Sequence, residues 1–132
     1  VVYRPDVLDD YHNFPTGFLF AGAPCVVSTL WAIPELPSAL LMDTFHERWL
    51  AGDPPATALG AAQKWLRALR RGPALDAVMG RFTQALPKPL AEKCQEQAVL
   101  FTREFGDTPF ASPVHWAAFT CNGLAYAKPA GL

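Results

Sequence analysis

The chain has 132 residues, 51% of them hydrophobic and 17% charged, with a formal net charge of −1. That composition excludes a disordered tail, and the charge balance excludes a dedicated nucleic-acid binder, whose phosphate contacts need a surplus of Lys and Arg. No apolar run reaches the about 18 residues that a membrane span requires.

Three widely spaced cysteines, Cys25, Cys94 and Cys121, do not make a disulfide framework, and without a Cys-x-x-Cys pair they do not suggest structural zinc. They read as reduced thiols buried as small hydrophobes, which points to the cytoplasm. The opening Val1-Val2-Tyr3-Arg4-Pro5 has neither the charged nor the apolar region of a signal peptide. Because it lacks an initiator Met, residue 1 is expected to lie inside a longer gene product.

Residues 1–14 are polar and turn-like. A short helix is predicted from Pro15 to Ala21, stopped at Gly22. It is apolar nearly all round, with Phe18, Leu19 and Phe20, so it is expected to be buried. Cys25 to Trp31 is rich in β-branched and aromatic residues and reads as a strand covered on both faces. Ala32 to Pro37 is expected to be a loop beyond its C-terminal end.

A helix follows from Ser38, as N-cap, to Ala51, with Leu41, Phe45 and Trp49 on one face. The next is expected to have Asp53 as N-cap and Pro54 at its first position. Leu59, Ala62, Leu66 and Leu69 form its apolar side, and Gly72-Pro73 ends it. Its basic residues Lys64, Arg67, Arg70 and Arg71 suit a helix C-terminus, where cations offset the dipole; a docking patch is the alternative.

Residues 74–106 suggest two further helices, broken at Pro87 and Pro89. Gly106 to Pro113 is turn-rich, and His115 to Cys121 reads as a second strand stopped at Asn122-Gly123. The tail from Ala127 is expected to fray.

Two strands and four or five helices pose a physical problem, since a stable sheet normally needs three strands or more. The pattern is that of part of a larger α/β domain whose further strands lie elsewhere.

The residues 17–31, Gly-Phe-Leu-Phe-Ala-Gly-Ala-Pro-Cys-Val-Val-Ser-Thr-Leu-Trp, resemble the CHAT family, a caspase-like domain often fused to tetratricopeptide repeats. Members typically carry a helix ending Ala-Gly-Ala or Ala-Gly-Val and a strand Val-Val-x-x-Leu-Trp. Ser38-Ala39-Leu40-Leu41-Met42-x-x-Phe45 is similar to the family's Thr-Ala-Leu-Leu-Met-x-x-Phe helix. Pro55-Ala56-x-Ala58-Leu59-x-x-Ala62-Gln63-x-Trp65-Leu66 is similar to its Pro-x-x-Ala-Leu-x-x-Ala-Gln-x-Trp-Leu helix. Pro113-x-x-Trp116-Ala117-Ala118-Phe119 resembles its terminal Trp-Ala-Ala-Phe strand. The four blocks keep the family order, whereas 72–108 matches none of them and reads as a variable helical insertion.

The resemblance implies an α/β fold: residues 1–132 would be the C-terminal part of a caspase-like three-layer α/β/α sandwich, with two core strands and four to five helices. It implies a cysteine endopeptidase in which a Cys thiolate, assisted by His, attacks a protein or peptide substrate. A tetratricopeptide-repeat or other sensor module, in the same parent chain, would govern it in bacterial signalling. The family's His-Gly turn and Ser-Ala-Cys strand end lie upstream of the Ala-Gly-Ala helix and occur nowhere in this sequence. This segment is therefore expected to be inactive alone and to need no cofactor. The alternatives are a non-catalytic caspase-like scaffold and an unrelated small helical domain with two edge strands.

No residue here is assigned to catalysis or to a metal. Cys25, Cys94 and Cys121 read as core, His12 as solvated, and His46 and His115 as occupying Tyr-like packing positions. The stronger functional candidates are Ser28, Thr29, Trp31 and Glu35, because ligands of open α/β sheets bind beyond the carboxyl ends of strands. There the resemblance implies a substrate groove able to pair with an extended peptide. An acid near Glu35 would favour a basic substrate side chain, though Pro34 and Pro37 replace the commoner acidic pair.

Overall fold

The computed structural model describes residues 14–124; the polar opening segment with His12, and the tail from Ala127, lie outside them. The order is α1 (Phe14–Phe20), β1 (Cys25–Thr29), α2 (Glu35–Leu50), α3 (Pro55–Ala68), α4 (Pro73–Gln84), α5 (Lys88–Phe105), α6 (Pro113–Trp116) and β2 (Phe119–Gly123). The fold is mixed α/β, with six helices and one two-stranded sheet among the described residues, as a part of a caspase-like sandwich requires. None of these helices is long and apolar enough to cross a membrane.

Prolines, thirteen in the sequence, start most of the helices. Pro34, Pro54 and Pro87 occupy N-cap positions with φ near −55° and ψ near 145°. Others stand in the first turn of α3, α4, α5 and α6, where a missing N–H removes only a donor that would be unpaired anyway. The expected caps are therefore displaced. Helix α2 starts at Glu35 rather than Ser38, which takes Pro37 into its first turn, and Asp53 instead pairs with Arg48 at 2.9 Å.

The expected apolar faces form the core. Leu36, Leu40, Leu41 and Phe45 of α2 meet Ala58, Leu59, Ala62 and Leu66 of α3. Leu69, Leu75, Met79, Ala98, Phe110 and Phe119 complete the cluster. Leu and Phe side chains buried this way contribute roughly 2 kcal/mol each. Arg71 ties the α3–α4 link to the segment after α5, through its side chain to Asp107 at 2.7 Å and its backbone N–H to Asp107 O at 2.9 Å.

β1 pairs directly with β2, antiparallel, with Val27 opposite Cys121 and Ser28 opposite Thr120. Three expectations about the sheet and its cover are corrected. Neither is fully covered: β1 is half-buried from Cys25 to Ser28 and exposed at Thr29, and β2 is buried only at Phe119. His115 and Trp116, expected in the second strand, lie instead in the helical turn 113–116, and the strand runs from Phe119 to Gly123; Pro113 opens the turn, and the Trp116 indole N–H closes it back onto Ala111 O at 3.0 Å. Helix α1 is not buried either. Pro15, Thr16 and Leu19 are half-buried on the side toward the sheet, while Phe18 is 51% and Phe20 75% exposed.

Candidate functional site

The register of β1 on β2 decides what each face of the sheet carries. Val27, Phe119 and Cys121 pack against the helical core. Ser28, Thr120 and Asn122 point to the opposite face, since side chains alternate along a strand. Ser28 Oγ lies 3.2 Å from Thr120 Oγ1, and the Asn122 amide donates to Thr120 Oγ1 at 3.3 Å. These polar groups, Thr29 and Leu30 join Pro15, Thr16 and Leu19 of α1 around a cavity of about 370 Å³. Its volume lies in the range of small-ligand or single-side-chain pockets.

The strand edge beside this cavity is chemically open. Leu30 N–H donates to Ala118 O at 2.9 Å, and Leu124 N–H donates to Pro24 O at 2.7 Å. Alternation of an antiparallel ladder then turns the backbone groups of Val26 and Ser28 toward β2, and those of Cys25, Val27 and Thr29 outward.

Of the four candidate residues, the fold brings Ser28 and Thr29 into one cavity. Trp31 lies two residues past the strand, 40% exposed, and its indole N–H donates to Val114 O at 3.1 Å. Glu35 is the first residue of α2 rather than a loop residue, and its carboxylate pairs with Lys93 of α5 at 3.1 Å. Neither lines the cavity. Thr16, Thr120 and Asn122, which do, went unrecognised in the sequence. They stand on other elements, and only the pairing of strands some ninety residues apart assembles them.

His46 and His115 both pack against aromatic rings. His46 Nδ1 lies 2.7 Å from Met42 O, and its ring meets Phe45 and Trp49. His115 is only 4% exposed, enclosed by Phe101, Phe105 and Phe110, and its Nδ1 has no hydrogen-bond partner among the described residues. Burial lowers its pKa below the usual imidazole value, against the pull of Glu104. Cys94 packs half-buried against the core, and Cys25 and Cys121 are half-buried with their sulfurs 3.1 Å apart. Among the described residues no His, Cys, Asp and Glu group is arranged to hold a metal.

The basic end of α3 is partly committed. Arg67 lies over the Trp116 ring at 5.4 Å, and Arg71 is paired with Asp107. Gln63, in the same helix, donates through Nε2 to Trp116 O at 2.9 Å and Phe119 O at 3.2 Å. That amide fixes the turn from α6 into β2, and hence where β2 meets β1.

The CHAT domain model matches residues 6–124, which takes in every element described. The chain belongs to the CHAT family. No curated protein and no solved structure gives a significant match. The blocks shared with CHAT domains serve the fold: Leu40, Leu41 and Phe45 in α2, and Ala58, Leu59, Ala62 and Leu66 in α3, are the buried residues that join those helices. The CHAT-like Gly17–Trp31 block supplies the end of α1, β1 and four linings of the cavity, Leu19, Ser28, Thr29 and Leu30.

Proposed function

We propose that this CHAT segment is part of a caspase-like cysteine endopeptidase and supplies sheet core and substrate groove, while the Cys/His dyad comes from chain upstream. The observation that supports this reading is the open edge of β1, which runs directly into the cavity lined by Ser28 and Thr29. An extended peptide laid along that edge would pair with the outward backbone groups of Val27 and Thr29. Ser28 and Thr29 would border its side chains, Trp31 would stand beside the path, and Glu35 would meet a basic side chain by exchange from Lys93. A sensor module in the same parent chain, such as tetratricopeptide repeats, would control access.

The test uses the full gene product and a peptidyl acyloxymethyl ketone with a basic terminal side chain, a probe that alkylates an active thiolate. Peptide mapping is expected to place the label on a cysteine other than Cys25, Cys94 and Cys121. Thr29→Pro, which removes the outward N–H that would pair with the peptide, is expected to slow labelling by about fivefold, the value of roughly one hydrogen bond. Label on one of these three cysteines would refute an upstream dyad. No label at all would favour a non-catalytic scaffold that keeps the groove.

A further inference from the structure

Among the described residues, Cys25 and Cys121 are two thiols that the fold brings into contact and the proposed groove does not use. Their sulfurs are 3.1 Å apart, although 96 residues separate them in the chain. They are not directly opposite in the ladder: Cys25 faces Gly123, and Cys121 faces Val27. The sulfurs meet diagonally across the end of the ladder.

The strands are also pressed together here. A Cβ on Gly123 would lie 2.4 Å from Pro24 O and 2.9 Å from Cys25 Cα. Both pairs, Cys25 with Gly123 and Cys121 with Val27, are of the non-hydrogen-bonded kind, in which side chains approach most closely. Closing the sulfurs from 3.1 Å to a bond of about 2.05 Å is a movement of about 1 Å. The end of the ladder can accommodate it, since β2 stops at Gly123 and β1 starts at Cys25. Neither thiol is sealed from solvent, since both side chains are only half-buried.

We propose that Cys25 and Cys121 form an oxidisable dithiol, a modification site at which a hydroperoxide drives a disulfide between β1 and β2. In the first step the Cys25 thiolate attacks the peroxide. An S–O bond forms, the O–O bond breaks, the sulfur is oxidised by two electrons to a sulfenic acid, and the peroxide is reduced to water or an alcohol. In the second step the Cys121 sulfur attacks that sulfenyl sulfur. The S–S bond forms, the S–O bond breaks, and the departing hydroxide takes the Cys121 proton as water. Burial, then the hydrogen bond with Cys25, pushes the Cys121 thiol up to about 12, which disfavours Cys121 as the attacking thiolate. Cys121 is therefore the resolving partner. Any disulfide reductant reverses the bond, and closing it fixes the start of β1 to the end of β2.

The test oxidises the native 132-residue chain with tert-butyl hydroperoxide, blocks remaining thiols with N-ethylmaleimide, and maps the linkage by mass spectrometry. The expected product has lost two hydrogens, links Cys25 to Cys121 and carries maleimide on Cys94 alone. The same oxidation in denaturant provides the contrast. In an unfolded chain the shortest loop closes most readily, so Cys94–Cys121 should dominate there and Cys25–Cys121, the longest loop, should be rarest. A native product with any other dominant linkage, or with all three thiols blocked, overturns the proposal. Cys121→Ser is expected to leave a sulfenic acid on Cys25 that dimedone captures. If that variant fails to fold, the wild-type linkage map still decides.

Discussion

Gly123 shows how a single residue controls the sheet. Its φ of +117° lies where side chains are strained, and a Cβ there would collide with Pro24 O. The alternative to glycine is therefore separation of the strands, not a small adjustment. Gly123→Ala is expected to lower stability by about 3 kcal/mol, from backbone strain and overpacking together, read as a fall in melting temperature. His115 gives a second test at this scale. Its imidazole is enclosed by three phenylalanines with an unpartnered Nδ1, so the folded state prefers it neutral. A histidine whose folded pKa is lowered takes its proton more readily when unfolded. Stability is therefore held above the unfolded value of about 6.5 and falls as pH drops through it, until the folded group also titrates. The Tm is expected to decline between pH 7 and 5, and His115→Phe, which removes the titrating group, should flatten that part of the decline. An unchanged slope in the variant would reject the assignment.

At the scale of elements, what the sequence shows and what it hides have physical causes. The faces of α2 and α3 are legible because Leu41 and Phe45, and Leu59, Ala62 and Leu66, recur at helical spacing and are all buried. β1 is legible from its β-branched run, with its end shortened to Thr29. The start of α2 is obscured because Ser38 is a good cap in isolation, yet Pro34 and Pro37 already fix the chain in a first-turn conformation three residues earlier. The Pro113–Trp116 turn is hidden by composition: His, Trp and Val look like strand, and only Pro113 hints at a helix start. The cavity cannot be read from local sequence at all, since its polar lining comes from both strands and α1. Gln63 is the element-level link that makes the strand pairing accurate. One amide satisfies two carbonyls at the α6–β2 junction. Gln63→Leu keeps the bulk but removes both bonds, and is expected to cost about 2 kcal/mol. Amide exchange in β2 should rise more than in α4, which Gln63 does not touch. Equal changes in both would mean that the glutamine only fills space.

For the molecule as a whole, the core and α1 differ in how far their apolar residues are covered. Between α2 and α3, Leu36, Leu40, Leu41, Phe45, Leu59 and Leu66 are nearly inaccessible, although Leu50 at the end of α2 is 56% exposed. On the α1 side, Phe14, Phe18, Phe20 and Leu30 are more than half exposed, and β1 has one edge without a strand partner among the described residues. Scattered apolar residues are ordinary on a protein surface, but three phenylalanines on one seven-residue helix give it an apolar face, and an unpaired edge is a template for further strands. The isolated 132 residues are therefore expected to self-associate through this side. Sedimentation velocity should show a mean mass that rises with concentration. Phe18→Ser with Phe20→Ser should return the chain toward monomer without lowering its melting temperature, because neither ring belongs to the closed core. A wild-type chain that stays monomeric at every concentration would mean that α1 folds over the edge in solution. The same experiment separates the two sides energetically: if the double variant loses stability as well as self-association, α1 contributes to the fold, and the core does not end at the sheet.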